Sequence, residues 1–122
     1  MINILVVEQP AAVRRTLCAR LAVEADMAVV GEAEDGASAV SLALARPPHV
    51  ILLDAEMPHL ALVDAVRTLR AEAPRAALVV LTLHTAAVAQ ALGGGAIVVG
   101  KHEGTTTLVA AIRRAAAGGQ PD

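Results

Sequence analysis

The chain has no Phe, Tyr or Trp and only one cysteine, Cys18. Without aromatic rings it lacks the stacking surfaces on which single-stranded nucleic acid is held. A net charge of −2 gives this domain no electrostatic case for direct nucleic-acid contact. A single thiol closes no internal disulfide, which fits a reducing, cytoplasmic setting. Long hydrophobic runs are missing as well. The longest nearly unbroken apolar stretch, Ala76 to Leu83, falls far short of the roughly 18 residues that suggest a membrane span. The N-terminal MINILVVEQP has no basic segment ahead of its apolar run and does not read as a signal peptide. No P-loop follows the first apolar run and no G-x-G-x-x-G opens a helix, so nucleotide sites lose their usual signatures. His49, His59, His84 and His102 stand singly, without Cys/His metal spacing, and read as solvated side chains.

What the chain does have is apolar surface. Its 122 residues are 56% hydrophobic and 18% charged, enough to bury the core of one domain and too apolar for disorder. Five short runs recur: Ile4–Val7, Ala28–Val30, Val50–Leu53, Leu78–Leu83 and Ile97–Val99. They are rich in β-branched residues and do not alternate with polar ones, which suits strands of a parallel sheet covered on both faces. Between them lie helical spacings. Val13, Leu17 and Leu21 mark the first helix, Ala37, Val40 and Leu44 the second, Leu62, Val66 and Leu69 the third. Leu108, Ile112 and Ala115 mark the last, and each set predicts a core-facing stripe. Thr85–Leu92 reads as a short, alanine-rich helix. Asp35-Gly36, Pro47-Pro48, Pro74 and Gly93-Gly94-Gly95 punctuate the pattern. The triple glycine reads as a helix end and turn rather than a phosphate cradle, because no strand precedes it. Cys18, beside Leu17, reads as a small packed side chain. Strand alternating with helix five times predicts a three-layer α/β sandwich over residues 1–118, with 119–122 a linker or tail.

The polar residues fall at the ends of these runs. Glu8 and Gln9 follow the first, Asp54 ends the third, Thr82 lies in the fourth, and Lys101 follows the fifth through Gly100. In an open parallel sheet every strand's C-terminal end lies on one edge, where ligands bind. Topology alone therefore gathers these groups. Asp54 suits a nucleophile or a metal ligand. Glu8 and Asp54 together favour a hard cation with oxygen ligands, Mg²⁺ above all. Thr82 and Lys101 supply a hydroxyl donor and a positive charge for anionic oxygens such as those of a phosphoryl group.

Carried by these residues, the chain from Ile2 to about Gly118 resembles the receiver domains of two-component response regulators, particularly the NarL/FixJ-type subgroup. INILVVEQPAAVRRTL is similar to the first strand and helix, and VVGEAEDGASAVSLA to the second pair. HVILLDAEMP resembles the phosphoacceptor strand, VVLTL the switch strand, and VVGKHEGTTTLVAAIRRAAAG the lysine strand and last helix. The resemblance implies a doubly wound, flavodoxin-like fold with strand order 2-1-3-4-5. It implies that Asp54 accepts a phosphoryl group from a histidine kinase, that Thr82 hydrogen-bonds it and that Lys101 pairs with its oxygens. Such a domain is a signalling module, not an enzyme. It associates with itself through the fourth-helix, fifth-strand and fifth-helix face or through the first and fifth helices. Regulators of this subgroup usually continue into a helix-turn-helix DNA-binding domain, so the chain is a stand-alone receiver or part of a longer protein.

Several positions depart from that pattern. The acidic pair expected after the first strand is Glu8-Gln9, an amide in place of one carboxylate, which implies weak Mg²⁺ binding. Glu56, two residues past Asp54, is placed to restore part of the charge and, through its backbone or side chain, joins Glu8, Asp54 and, weakly, Gln9 as an expected metal ligand. Val98 replaces the aromatic ring expected three residues before the lysine, and a β-branched side chain has no ring to swing. The segment from Thr82 to Lys101 is shorter than usual, and His59-Leu60-Ala61-Leu62 lacks the expected glycine. His84, two past Thr82, is positioned to influence phosphoryl lifetime. The competing expectations are a pseudo-receiver that binds partners without phosphorylation, and a haloacid-dehalogenase-type phosphohydrolase. The latter needs an acidic cluster after the lysine, where only Glu103 is offered.

Overall fold

The structure, a computed structural model, describes residues 1–57 and 61–118. Strands and helices alternate along it: β1 (Ile2–Val7), α1 (Ala11–Ala22), β2 (Met27–Ala33), α2 (Gly36–Ala45), β3 (Val50–Asp54) and α3 (Leu62–Glu72). These are followed by β4 (Ala77–Thr82), α4 (Thr85–Leu92), β5 (Ile97–Gly100), a 3₁₀ turn over Lys101–Glu103, and α5 (Thr105–Ala116). All strand pairs are parallel and the sheet order is β2-β1-β3-β4-β5. This is the three-layer α/β sandwich expected from the strand and helix pattern, with the doubly wound, flavodoxin-like strand order that the resemblance implied.

The unbroken apolar runs have a direct structural cause. Successive side chains of a strand point to opposite faces, and both faces of the central strands are covered. On β3, Val50 and Leu52 enter the core under α1 and α5, while Ile51 and Leu53 enter the core under α2, α3 and α4. On β1, Ile4 and Val6 take the first side, Leu5 and Val7 the second. Each fully buried Leu or Ile stabilises the fold by about 2 kcal/mol relative to exposure. The edge strand β2 is only partly buried, and its register against β1 slips between Ile4 and Leu5, passing over Val30.

Helix faces match expectation for α3, which buries Val66 and Leu69, and for α5, which buries Leu108, Ile112 and Ala115. Two stripes differ. In α1, Leu21 is buried and Leu17 half-buried, but Val13 is 52% exposed, because the first turns of α1 border an open groove facing α5. In α2, the buried residues are Ala39 and Ala43, whereas Leu44 is 56% exposed and Ala37 lies at the surface. The Asp35 carboxylate accepts from Ser38 N–H at 2.7 Å and caps the start of that helix. Two small side chains one turn apart then let α2 lie close over β1 and β2. Cys18 is half-buried against the α1/α5 core, as expected of a small packed side chain.

Helix α4 buries none of its residues and ends at Gly93, whose φ of +63 begins a run of three positive-φ glycines. This is the helix stop read from the triple glycine, in a conformation L side chains rarely adopt. At Gly95 a Cβ would also run into the Arg70 guanidinium. The expectations for His59-Leu60 and for a tail over 119–122 fall outside the described residues. No helix among the described residues is long and apolar enough to cross a membrane.

Candidate functional site

Parallel pairing delivers the strand ends to one edge, as the polar pattern required. Glu8 follows β1, where its N–H continues the ladder to Ala33 O at 3.0 Å. Asp54 closes β3, Thr82 closes β4, and Lys101 follows β5. Glu8 and Asp54 continue the Ile4/Val6 and Val50/Leu52 series, so alternation sends both toward the α1/α5 side; Thr82 continues the opposite series. Glu8, Asp54 and Thr82 are the buried polar residues of the described chain.

Lys101 Nζ lies 2.6 Å from Asp54 Oδ1 and 3.3 Å from Glu56 Oε2. Asp54 Oδ1 also accepts from the Glu56 N–H at 3.0 Å. These two donors fix the carboxylate and compensate a charge that is only 5% exposed. The Thr82 hydroxyl donates to Glu56 Oε1 at 2.6 Å, and the Leu83 N–H reaches the same oxygen at 2.8 Å. His84 N–H in turn donates to Thr82 Oγ1 at 3.0 Å.

The electrostatics follow from this crowding. Burial, then a hydrogen bond to Asp54 and repulsion from it, pushes the Glu8 carboxyl from 4.5 up to about 7. Burial also opposes ionisation of Asp54. Hydrogen bonds from Glu8, Lys101 and the Glu56 N–H outweigh it and hold Asp54 below its ordinary value. For Lys101, burial pulls the ammonium down, but bonds and attraction to Asp54 and Glu56 outweigh that and raise it. Near neutrality Asp54 is thus an ionised carboxylate beside a cation.

The structure thus unites Glu8, Asp54, Glu56, Thr82 and Lys101 at one edge. Gln9 sits on the same loop with an exposed side chain. Arg14, which the sequence pattern did not single out, completes the site. Its Nη1 donates to Glu8 O at 2.9 Å and Gln9 O at 3.3 Å, while its Nε pairs with Glu32 Oε1 at 2.9 Å. It clamps the β1–α1 loop that carries Glu8. No local pattern marks it, since Arg14 and Arg15 stand side by side on an ordinary helix and only the fold turns Arg14 inward. Of the described histidines, His49 accepts from Asn3 N–H at 2.8 Å, and His84 and His102 are exposed.

The fold has known counterparts. The family model for the response regulator receiver domain matches residues 4–113. A protein-glutamate methylesterase/protein-glutamine glutaminase of Thermotoga maritima is 38% identical over 100 residues, covering 80% of this chain and 29% of that protein. The Bacillus subtilis transcriptional regulatory protein LiaR is 35% identical over 82 residues, covering 67% of this chain and 39% of that protein. The chain thus spans well under half the length of these relatives. Among solved structures, the response regulator domain of Thermotoga maritima CheB superposes with a TM-score of 0.84 at 30% identity, covering 96% of this chain and 97% of that one. The signal receiver domain of the putative response regulator NarL from Mycobacterium tuberculosis gives the same TM-score, identity and coverages. The chain belongs to the response regulator receiver domain family.

Proposed function

We propose that Asp54 accepts a phosphoryl group from the phosphohistidine of a partner histidine kinase, and that the modified domain changes its association with itself or with partners. The observation that carries this reading is the buried, ionised Asp54 carboxylate held at 2.6 Å by Lys101 at the ligand-binding edge of the sheet. In the transfer, an Asp54 oxygen attacks phosphorus, the new P–O bond forms as the P–N bond breaks, and the imidazole departs. Lys101 offsets charge on the incoming oxygens, and the Glu56 N–H keeps the carboxylate oriented. The experiment is intact-mass measurement after incubation with a small phosphodonor and Mg²⁺. An adduct of one phosphoryl group that is lost in Asp54→Asn is expected; an unchanged adduct in the variant would move the acceptor elsewhere.

Mg²⁺ fits this edge, though weakly. Among the described residues no three acidic, His or Cys side chains converge into a metal cage. Glu8 and Asp54, both buried at the same edge, with Asp54 raising the cost of ionising Glu8, form a niche whose repulsion a divalent cation would relieve. Mg²⁺ needs only one or two carboxylates, with water and phosphoryl oxygens filling its octahedron. Bound there, it would neutralise developing charge on the phosphoryl oxygens. Glu8 and Asp54 would hold it, with the Glu56 backbone and Gln9 as weaker contributors. Gln9→Asp adds a full charge to this loop and should tighten Mg²⁺ binding about tenfold, read by titration calorimetry. Unchanged affinity would place residue 9 outside the coordination sphere.

A second reading, a degenerate or pseudo-receiver acting as a phosphorylation-independent interaction module, is favoured by the engagement of Thr82 and Lys101 with Glu56. Gln9 and the half-buried Val98 point the same way. Adduct formation separates the two readings. The NarL-type likeness supports a C-terminal helix-turn-helix DNA-binding domain in the whole protein, and the methylesterase relatives support an enzymatic one. Such neighbours would carry any nucleic-acid contact. Homodimerisation through α1 and α5, or through α4, β5 and α5, completes the proposal.

A further inference from the structure

The Glu56 side chain has no part in the transfer as described, yet both its carboxylate oxygens are engaged. Oε1 takes the Thr82 hydroxyl at 2.6 Å and the Leu83 N–H at 2.8 Å. Oε2, closed off from solvent and without an aligned hydrogen bond, faces Lys101 Nζ at 3.3 Å. A hydroxyl, a backbone amide just past a strand end and an ammonium, all directed at one anionic group, form the donor set suited to a phosphoryl group. The same ammonium lies 2.6 Å from Asp54 Oδ1, so these donors surround the space next to the acceptor oxygen.

From this geometry we infer that Glu56 is an internal anionic ligand occupying the subsite into which a phosphoryl group on Asp54 would project. The inference rests on Asp54 as the acceptor. Occupancy is exclusive, because a threonine hydroxyl has one proton and Thr82 gives it to Glu56. A phosphoryl group can take that bond only when Glu56 releases it, and its negative charge favours the release. Two consequences follow. Glu56 slows phosphorylation, and it braces the junction of β4 and α4 in the unphosphorylated protein. That junction is held at two successive amides, Leu83 on Glu56 and His84 on Thr82.

The test uses the full chain with Glu56→Ala, and Glu56→Gln as a variant that keeps the shape and an acceptor oxygen but not the charge. Amide resonances of Leu83 and His84 should move in unliganded Glu56→Ala and return toward wild-type positions on adding beryllofluoride with Mg²⁺. Glu56→Gln should move them by less. The adduct from a small phosphodonor should form about tenfold faster in Glu56→Ala, since a charge-assisted hydrogen bond no longer has to break first. If Glu56→Ala does not fold, Glu56→Gln carries the test, with the same direction in both readouts. An adduct in both proteins with unmoved Leu83 and His84 amides, or with slower formation in the variant, overturns the internal ligand alone. No adduct in either protein overturns Asp54 as acceptor, and the inference with it.

Discussion

Glu8→Gln should flatten a loss of stability that the wild-type domain shows as pH rises from about 5 to 8 in the absence of divalent cations. The folded state raises the Glu8 carboxyl from 4.5 to about 7. Between those values the native chain keeps a proton there that the unfolded chain has released. Stability therefore falls with rising pH across this window and stays lower above it. The full shift corresponds to about 3 kcal/mol, and solvent screening at the open edge reduces the expected loss to about 2 kcal/mol. Glutamine cannot ionise but still offers an N–H to Asp54, so the variant should be the more stable protein at pH 8 and comparable at pH 5. Asp54 acts in the opposite sense and in another window. Its lowered carboxyl contributes stability above its ordinary value that is lost only as pH falls through the folded one.

Urea denaturation of both proteins at four pH values, in chelator, reads the effect as a difference in which the other titrating groups largely cancel. Parallel profiles for the two proteins would mean that Glu8 and Asp54 do not share a proton. Added Mg²⁺ should restore wild-type stability at pH 8 more than it restores the variant, because a cation binds only the native pair of carboxylates.

The frame of the molecule was readable from unalternating runs such as VILLD, because a strand covered on both faces leaves that signature and few others do. The edge cluster was readable for a topological reason: parallel strands put Glu8, Asp54, Thr82 and Lys101 together whatever their side chains do. Where many positions are equally apolar, spacing loses its power. In GASAVSLALA, Ala37/Val40/Leu44 and Ala39/Ala43 are both acceptable stripes, and close approach to the sheet chose the smaller side chains. The partners of Glu56 and Arg14 were hidden for a different reason. Each depends on a side chain crossing the site, Glu56 to a threonine 26 residues away and Arg14 to the carbonyls of the preceding loop. Glu56 could be placed near Asp54 by spacing, but whether it adds charge to a metal or occupies a phosphoryl subsite turns on the direction of its carboxylate.

Lys101→Met should destabilise the domain by about 2–3 kcal/mol at pH 7, because removing one partner strands a buried charge. The ammonium lies 2.6 Å from Asp54 Oδ1 and 3.3 Å from Glu56 Oε2. Without the lysine, burial would raise Asp54 against only the hydrogen bonds from Glu8 and the Glu56 N–H, because Lys101 now helps hold it below its ordinary value. A raised carboxyl loses stability as pH rises, whereas the wild-type Asp54 contribution is present above the ordinary value. The deficit of the variant should therefore grow from pH 4 to pH 7. Its magnitude stays below that of a fully enclosed pair because the Lys101 side chain is 29% exposed.

Asp54→Asn in the Lys101→Met background should recover about 1.5 kcal/mol or more, since neutralising the stranded charge removes most of the penalty. Additive single and double variants in urea denaturation would mean that the ion pair is screened and that burial alone sets the state of Asp54. The same lysine faces both carboxylates, so its loss should also free Glu56 to follow Thr82 alone. Phosphoryl transfer to Asp54 should then fall about 100-fold, the scale for losing one preorganised charge at a reacting oxygen. A rate within a factor of about three of wild type would assign Lys101 to stability and leave the incoming charge to the metal.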